Sequence, residues 1–145
     1  FRSSSAVNIN SCFTSTYVNY RIYFNISSSS AGLVGMNMRL RASGSDNTTS
    51  SYVSAFRGGY GSAGTSAGGY SVTSGNGITF MFDMLKPQEA TKTFWIWNYW
   101  KTVSTAEAGL DYFQFTGTDQ FDGFSIYPDS GNITGTYWVY GYAKS

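Results

Sequence analysis

Tyr20-Arg21-Ile22-Tyr23-Phe24-Asn25-Ile26 decides the fold class of this chain. On an extended backbone Tyr20, Ile22, Phe24 and Ile26 fall on one side, and Arg21, Tyr23 and Asn25 on the other. Successive side chains of a strand point to opposite faces, so this alternation reads as a half-buried strand. The same pattern extends in both directions. Val7 and Ile9 alternate with Asn8 and Asn10, Met36, Met38 and Leu40 with Asn37, Arg39 and Arg41, and Ile78, Phe80 and Phe82 with Thr79, Met81 and Asp83. Each run offers one face to a core and one to water, as antiparallel sheets do.

Further along, the runs become aromatic on both faces. Phe94, Ile96 and Asn98 interleave with Trp95, Trp97 and Tyr99, and Leu110, Tyr112 and Gln114 with Asp111, Phe113 and Phe115. Phe124 and Ile126 are expected to point inward. The last run carries Trp138, Tyr140 and Tyr142 on one face and Tyr137 and Val139 on the other. A strand that is apolar on both faces needs a cover on each. The opposing sheet supplies one cover, and a neighbouring subunit or a ligand is expected to supply the second.

Turn formers separate the runs at Ser27 to Gly32, Gly44-Ser45-Asp46-Asn47 and Asp129-Ser130-Gly131-Asn132. Lys86-Pro87 ends the run before it, since proline cannot donate to a ladder. Helix signals are confined to short turns near Ser11 to Tyr17 and Pro87 to Thr91, with Thr102 to Ala108 readable as a third or as a loop. Gly58 to Gly77 is uncharged and rich in Gly and Ser. It reads as a long connection between strands, either a flexible linker or a contact loop presenting Tyr60 and Tyr70, a composition that binding loops favour. About eight or nine short strands with turns between them predict an all-β antiparallel β-sandwich, with a jelly roll as the expected topology. The 145 residues fit a single domain, 1–145.

Composition narrows the functional classes. Aromatics make up 19% of residues and charged residues only 12%, against about 25% charged in an average domain. Low charge weakens self-repulsion and permits close packing of subunits. The net charge of +1 argues against nucleic acid, whose phosphates need a concentrated basic patch. Arg39 and Arg41, with Arg21 on a neighbouring strand, come nearest to one and read as a solvated strand face. The single cysteine, Cys12, cannot form an intrachain disulfide. No apolar run approaches the ~20 residues of a membrane span, and no signal-peptide pattern is present. A chain starting at Phe1 is expected to be part of a longer polypeptide or a processed product.

The chemistry of catalysis is thin. The chain has no histidine, which removes the usual general base and the Ser-His-Asp and Cys-His arrangements within one chain. Typical zinc sites are excluded with it. Asp119 and Asp122 sit near Phe121 and Phe124 and are the only pair that brings a glycosidase to mind. They read more simply as a polar turn. Asp119, Asp122 and Asp129 lack the ligand spacing of a calcium loop, and Gly58 to Gly77 lacks the Lys-Ser/Thr and helix of a phosphate-binding loop. No enzyme, metal or cofactor is expected.

Binding-type residues concentrate in Phe94-Trp95-Ile96-Trp97-Asn98-Tyr99-Trp100, with three tryptophans in six residues. Both faces of this strand cannot fill one core. Trp95, Trp97, Tyr99 and Trp100, with Tyr60 and Tyr70, are therefore the candidate binding or subunit-contact residues.

Asn19-Tyr20-Arg21-Ile22, then Met38-Arg39-Leu40-Arg41-Ala42-Ser43-Gly44-Ser45-Asp46-Asn47, and the ending Gly131-Asn132-Ile133-Thr134-Gly135-Thr136-Tyr137-Trp138-Val139-Tyr140-Gly141-Tyr142 resemble β-rich virion proteins of tailed bacteriophages, cyanophages among them. The resemblance runs from about Val7 to the end, and its most telling part is the C-terminal run. It implies a β-sandwich that commonly assembles as a trimer on the virion, and it transfers no catalytic residues. Members serve as tail-fibre or decoration proteins. The expectations are a tail-fibre or receptor-binding domain contacting a host-surface glycan, or a capsid decoration protein. In either case the partners are further copies of the chain and other virion proteins, without nucleic acid or membrane insertion.

Overall fold

The computed structural model describes residues 1–31, 34–56, 59–60, 64–72, 77–101 and 107–143. These form β1 (Val7–Ile9), β2 (Asn19–Ser29), β3 (Val34–Ala42), β4 (Ser45–Asp46), β5 (Tyr52–Phe56), β6 (Gly59–Tyr60), β7 (Ala67–Val72), β8 (Ile78–Leu85), β9 (Thr93–Lys101), β10 (Glu107–Phe115), β11 (Gly123–Pro128) and β12 (Ile133–Gly141). One sheet runs β1-β11-β3, with β4 and β7 both pairing with β3; the other runs β12-β2-β8-β9-β10-β5-β6. All pairings are antiparallel. The two sheets pack together as a β-sandwich.

A simple jelly roll divides eight strands between two sheets. The chain here does alternate between the sheets, but β8, β9 and β10 follow one another as a meander within the larger sheet, and β12 adds an edge beside β2. The expectation from the sequence therefore holds at the level of the sandwich.

The predicted inward faces are inward. Tyr20, Ile22, Phe24 and Ile26, then Met36, Met38 and Leu40, then Ile78, Phe80 and Phe82, and finally Phe124 and Ile126, are all buried. Phe24 of the larger sheet meets Phe124 of the smaller edge to face, centroids 6.0 Å apart. Tyr52 ties the sheets with a polar contact. Pairing of β3 with β7 ends at Met38, and pairing with β4 begins at Arg41. In the gap, the Tyr52 hydroxyl accepts from the Leu40 amide at 3.0 Å and donates to the Asn47 carbonyl at 2.9 Å. Its burial raises the phenol's pKa well above the ordinary value.

The β3–β4 connection turns at Ser43 and Gly44, one residue earlier than the Gly44-to-Asn47 cluster implied. Both residues have positive φ, 51° and 80°, as a two-residue type I′ hairpin requires. The Asp122 carboxylate accepts the Ser43 amide at 3.0 Å, and Arg41 donates to the Gly44 carbonyl and the Asp46 carboxylate.

Three expectations need correction. Among the described residues there is no helix: 11–17 and 87–91 are irregular or turn, and 102–106 lie outside them. Part of the Gly-rich connection is regular, since β7 pairs with β3 from Val34↔Val72 to Met38↔Ala67. Backbone hydrogen bonds from an exposed strand edge organise it, and they need no side-chain pattern. Finally, Arg21 lies in the larger sheet and Arg39 and Arg41 in the smaller, so the three do not form one face. Each meets acid: Arg21 with Asp83, Arg41 with Asp46, and Arg39 with Asp46 at 4.0 Å.

Candidate functional site

Register across the larger sheet settles which aromatics face out. β9 pairs with β8 and β10 so that Trp95, Trp97 and Tyr99 join the inward row, while Phe94, Ile96, Asn98 and Trp100 point away from the core. Trp95 and Trp97 are 0% exposed and Tyr99 is buried, so all three are corrected from contact candidates to core. Trp97 packs on Phe82, Phe80 and Phe113 with centroids at 4.5, 5.3 and 5.9 Å. Trp100 remains a surface residue, 51% exposed. The backbones of Tyr60 and Tyr70 pair with Ala55 and Met36; their side chains lie outside the described part of the structure.

The second face of the doubly aromatic strands is real, and it is the outer one. Two cross-strand rows define it. Tyr140, Arg21, Asp83, Ile96 and Tyr112 form one, and Trp138, Tyr23, Met81, Asn98 and Leu110 the next. Side chains in such rows are neighbours, since adjacent strands lie about 4.8 Å apart. Large apolar groups are thus exposed at both ends of the row system. Trp138, Tyr140 and Tyr142 stand at the β12 end, and Phe94, Trp100, Leu110 and Tyr112 over β9 and β10. Exposed apolar groups gathered on one surface mark interaction sites.

At the β12 end the surface dips into a shallow, open depression. A groove of about 670 Å³ is lined by Arg21, Tyr23, Asn25, Trp138, Tyr140 and Tyr142. Tyr23 and Tyr140 meet edge to face at 6.1 Å. Arg21 is fixed from the neighbouring strand: its Nε and a terminal nitrogen donate to the two Asp83 oxygens at 2.8 and 2.7 Å. The Tyr142 hydroxyl donates to the same carboxylate at 2.9 Å. The guanidinium sits 5.8 Å from the Tyr142 ring centre, within cation–π range. Sequence reading placed Trp138, Tyr140 and Tyr142 on one face but did not single them out; the signal was the polar pair Arg21 and Asp83 opposite them.

The Arg21 hydrogen bonds hold the Asp83 carboxyl below its ordinary range. A depressed folded-state pKa means stability that is full above the unfolded carboxylate value near ~4 and is lost as pH falls through the lower folded value. Asp83→Asn is expected to lower stability near neutral pH by no more than about 1 kcal/mol, because the pair is part exposed. The difference from wild type should shrink as pH falls through that lowered folded value, where the wild-type carboxylate itself takes up a proton. Thermal melts across that range check it.

Asp122 is engaged by the Ser43 turn, Asp119 and Asp129 are exposed, and Asp46 and Glu89 are paired with Arg41 and Lys86. Burial pushes the Cys12 thiol up to about 12, so it stays protonated and unreactive near neutral pH. Among the described residues, no three His, Cys, Asp or Glu side chains gather to hold a metal ion.

No protein-family model matches the chain, and no curated protein or solved structure does either.

Proposed function

We propose that this chain is a non-enzymatic structural domain of a bacteriophage virion, of the tail-fibre or receptor-binding type, which contacts the host surface through the outer face of its larger sheet. The observation that carries this reading is the groove at the β12 end, with Trp138, Tyr140 and Tyr142 exposed by 49%, 54% and 43%. Rigid rings with polar tips, exposed on a stable sheet, make a contact surface without chemistry. The phage assignment draws its support from the C-terminal run Gly131 to Tyr142, which forms the β12 edge of that groove. The domain would act on the virion, the extracellular particle, after synthesis in the bacterial host cytoplasm.

One observation favours the second reading, capsid decoration. Phe94, Trp100, Leu110 and Tyr112 are exposed over β9 and β10, with Trp100 standing opposite the groove residue Thr79, and this surface suits a contact with another copy of the chain or another virion protein. A homotrimer held there is compatible with both readings.

The test is direct. Fluorescently labelled protein is expected to bind host cells, and free protein to slow adsorption of the intact phage. Virion density on the capsid lattice, with no cell binding, would replace the fibre reading by the decoration reading. Sedimentation at micromolar concentration should give a trimer that Trp100→Ser with Leu110→Ser weakens.

A further inference from the structure

We infer that the groove at the β12 end takes a neutral saccharide and discriminates against acidic ones. This rests on the reading of the outer face as a host-contact surface and names what it recognises. Three features carry it.

The first is shape. A groove of about 670 Å³ lies within the usual ~300–1,000 Å³ of small-ligand sites, room for a short stretch of glycan. The second is the mixture of groups. Trp138 and Tyr140, two apart on β12, share a face and present their rings to solvent. The C–H face of a sugar ring packs on such rings, while its hydroxyls need donors and acceptors at the edge. Asn25, Thr79 and Arg21 supply these within the same groove.

The third feature is charge. Among the described residues, Arg21 is the one formally charged member of the lining, and Asp83 already matches it through two hydrogen bonds of 2.8 and 2.7 Å. Tyr142 adds a third bond to that carboxylate. A uronate, sialate or phosphate would have to draw Arg21 from Asp83, leaving a part-buried carboxylate with weakened compensation, or else lie beside it unmatched. A hydroxyl can accept from the remaining guanidinium N–H groups without disturbing the pair. Net neutrality thus selects an uncharged ligand.

The experiment is a glycan array carrying neutral hexose, N-acetylhexosamine and deoxyhexose oligosaccharides beside uronic-acid, sialic-acid and phosphate-bearing ones, followed by calorimetry on the strongest hit. The expected result is neutral hits whose affinity changes little with salt and falls at least ~10-fold in Trp138→Ala and in Tyr140→Ala. Both positions are exposed, so unchanged melts should accompany the loss, and Asp119→Asn should bind as wild type. Acidic hits of equal or greater strength that depend on Trp138 would overturn the neutral inference and leave the contact face standing. No hit of either kind would overturn the saccharide itself, while cell binding would still judge the contact reading. Loss of the trimer in Trp138→Ala would assign the groove to a second copy of the chain.

Discussion

Trp97→Ala is expected to destabilise the domain by about 3–5 kcal/mol, the range for emptying a buried aromatic site. Trp97 is wholly buried against Phe80, Phe82 and Phe113. These come from β8 and β10, the strands on either side, so deletion opens a cavity in the middle of the larger sheet rather than at an edge. A domain of ordinary stability has only about 5–15 kcal/mol in total, and the variant should be partly unfolded near its working temperature. Trp100→Ala, three residues on and pointing to solvent, should stay within about 0.5 kcal/mol of wild type. Trp95→Phe gives an intermediate control. The indole nitrogen of Trp95 is buried without a hydrogen-bond partner among the described residues, so the smaller ring removes an unsatisfied donor while it loses volume. Urea unfolding with unchanged m-values separates the three. Equal losses at Trp97 and Trp100 would mean that the assignment of faces is wrong.

The same strand marks the limit of what was legible. Alternation located β1, β2, β3 and β8 because each buries one face and a one-residue slip would expose it. In β9 both faces are aromatic, so period two gave the strand but not its inside. A weak signal existed: Asn98 shares its face with Phe94 and Ile96, and an amide is cheaper to leave in water than to bury unpaired. β10 offered the opposite hint, since Asp111 lies on the inward row opposite Trp97. Desolvation there raises its pKa, a cost no sequence pattern announces. β7 was illegible for another reason, because the unpaired edge of β3 recruits it through backbone hydrogen bonds. The groove depends on a long-range pairing as well. Trp138 stands opposite Tyr23 only because β12 pairs with β2, and this pairing joins segments more than a hundred residues apart.

That dependence on distant pairings underlies the second large effect, which a glycine controls. Gly123 opens β11 where β1 ends beside it, and a Cβ there would lie 2.1 Å from the Ile9 carbonyl oxygen. The obstacle is backbone, which cannot rotate aside as a side chain would. Gly123→Ala must push Ile9 and Asn10 away. This loosens the pairing of β1 with β11 from Val7↔Ile126 to Ile9↔Phe124 and the 2.8 Å hydrogen bond from Arg41 to the Asn10 side chain. Arg41 is itself buried, so losing one partner leaves a desolvated charge less well compensated. Overpacking alone typically costs about 1–3 kcal/mol, and the added polar losses place this variant at or above the top of that range. Hydrogen exchange should show the damage as local, with protection lost in β1 and at the Ser43–Gly44 hairpin while β8 and β9 keep theirs. The groove lies on the other sheet, so sugar or cell binding by the folded fraction should be unchanged. A variant as stable as wild type, with β1 fully protected, would show that the β1–β11 contact is not as close as described.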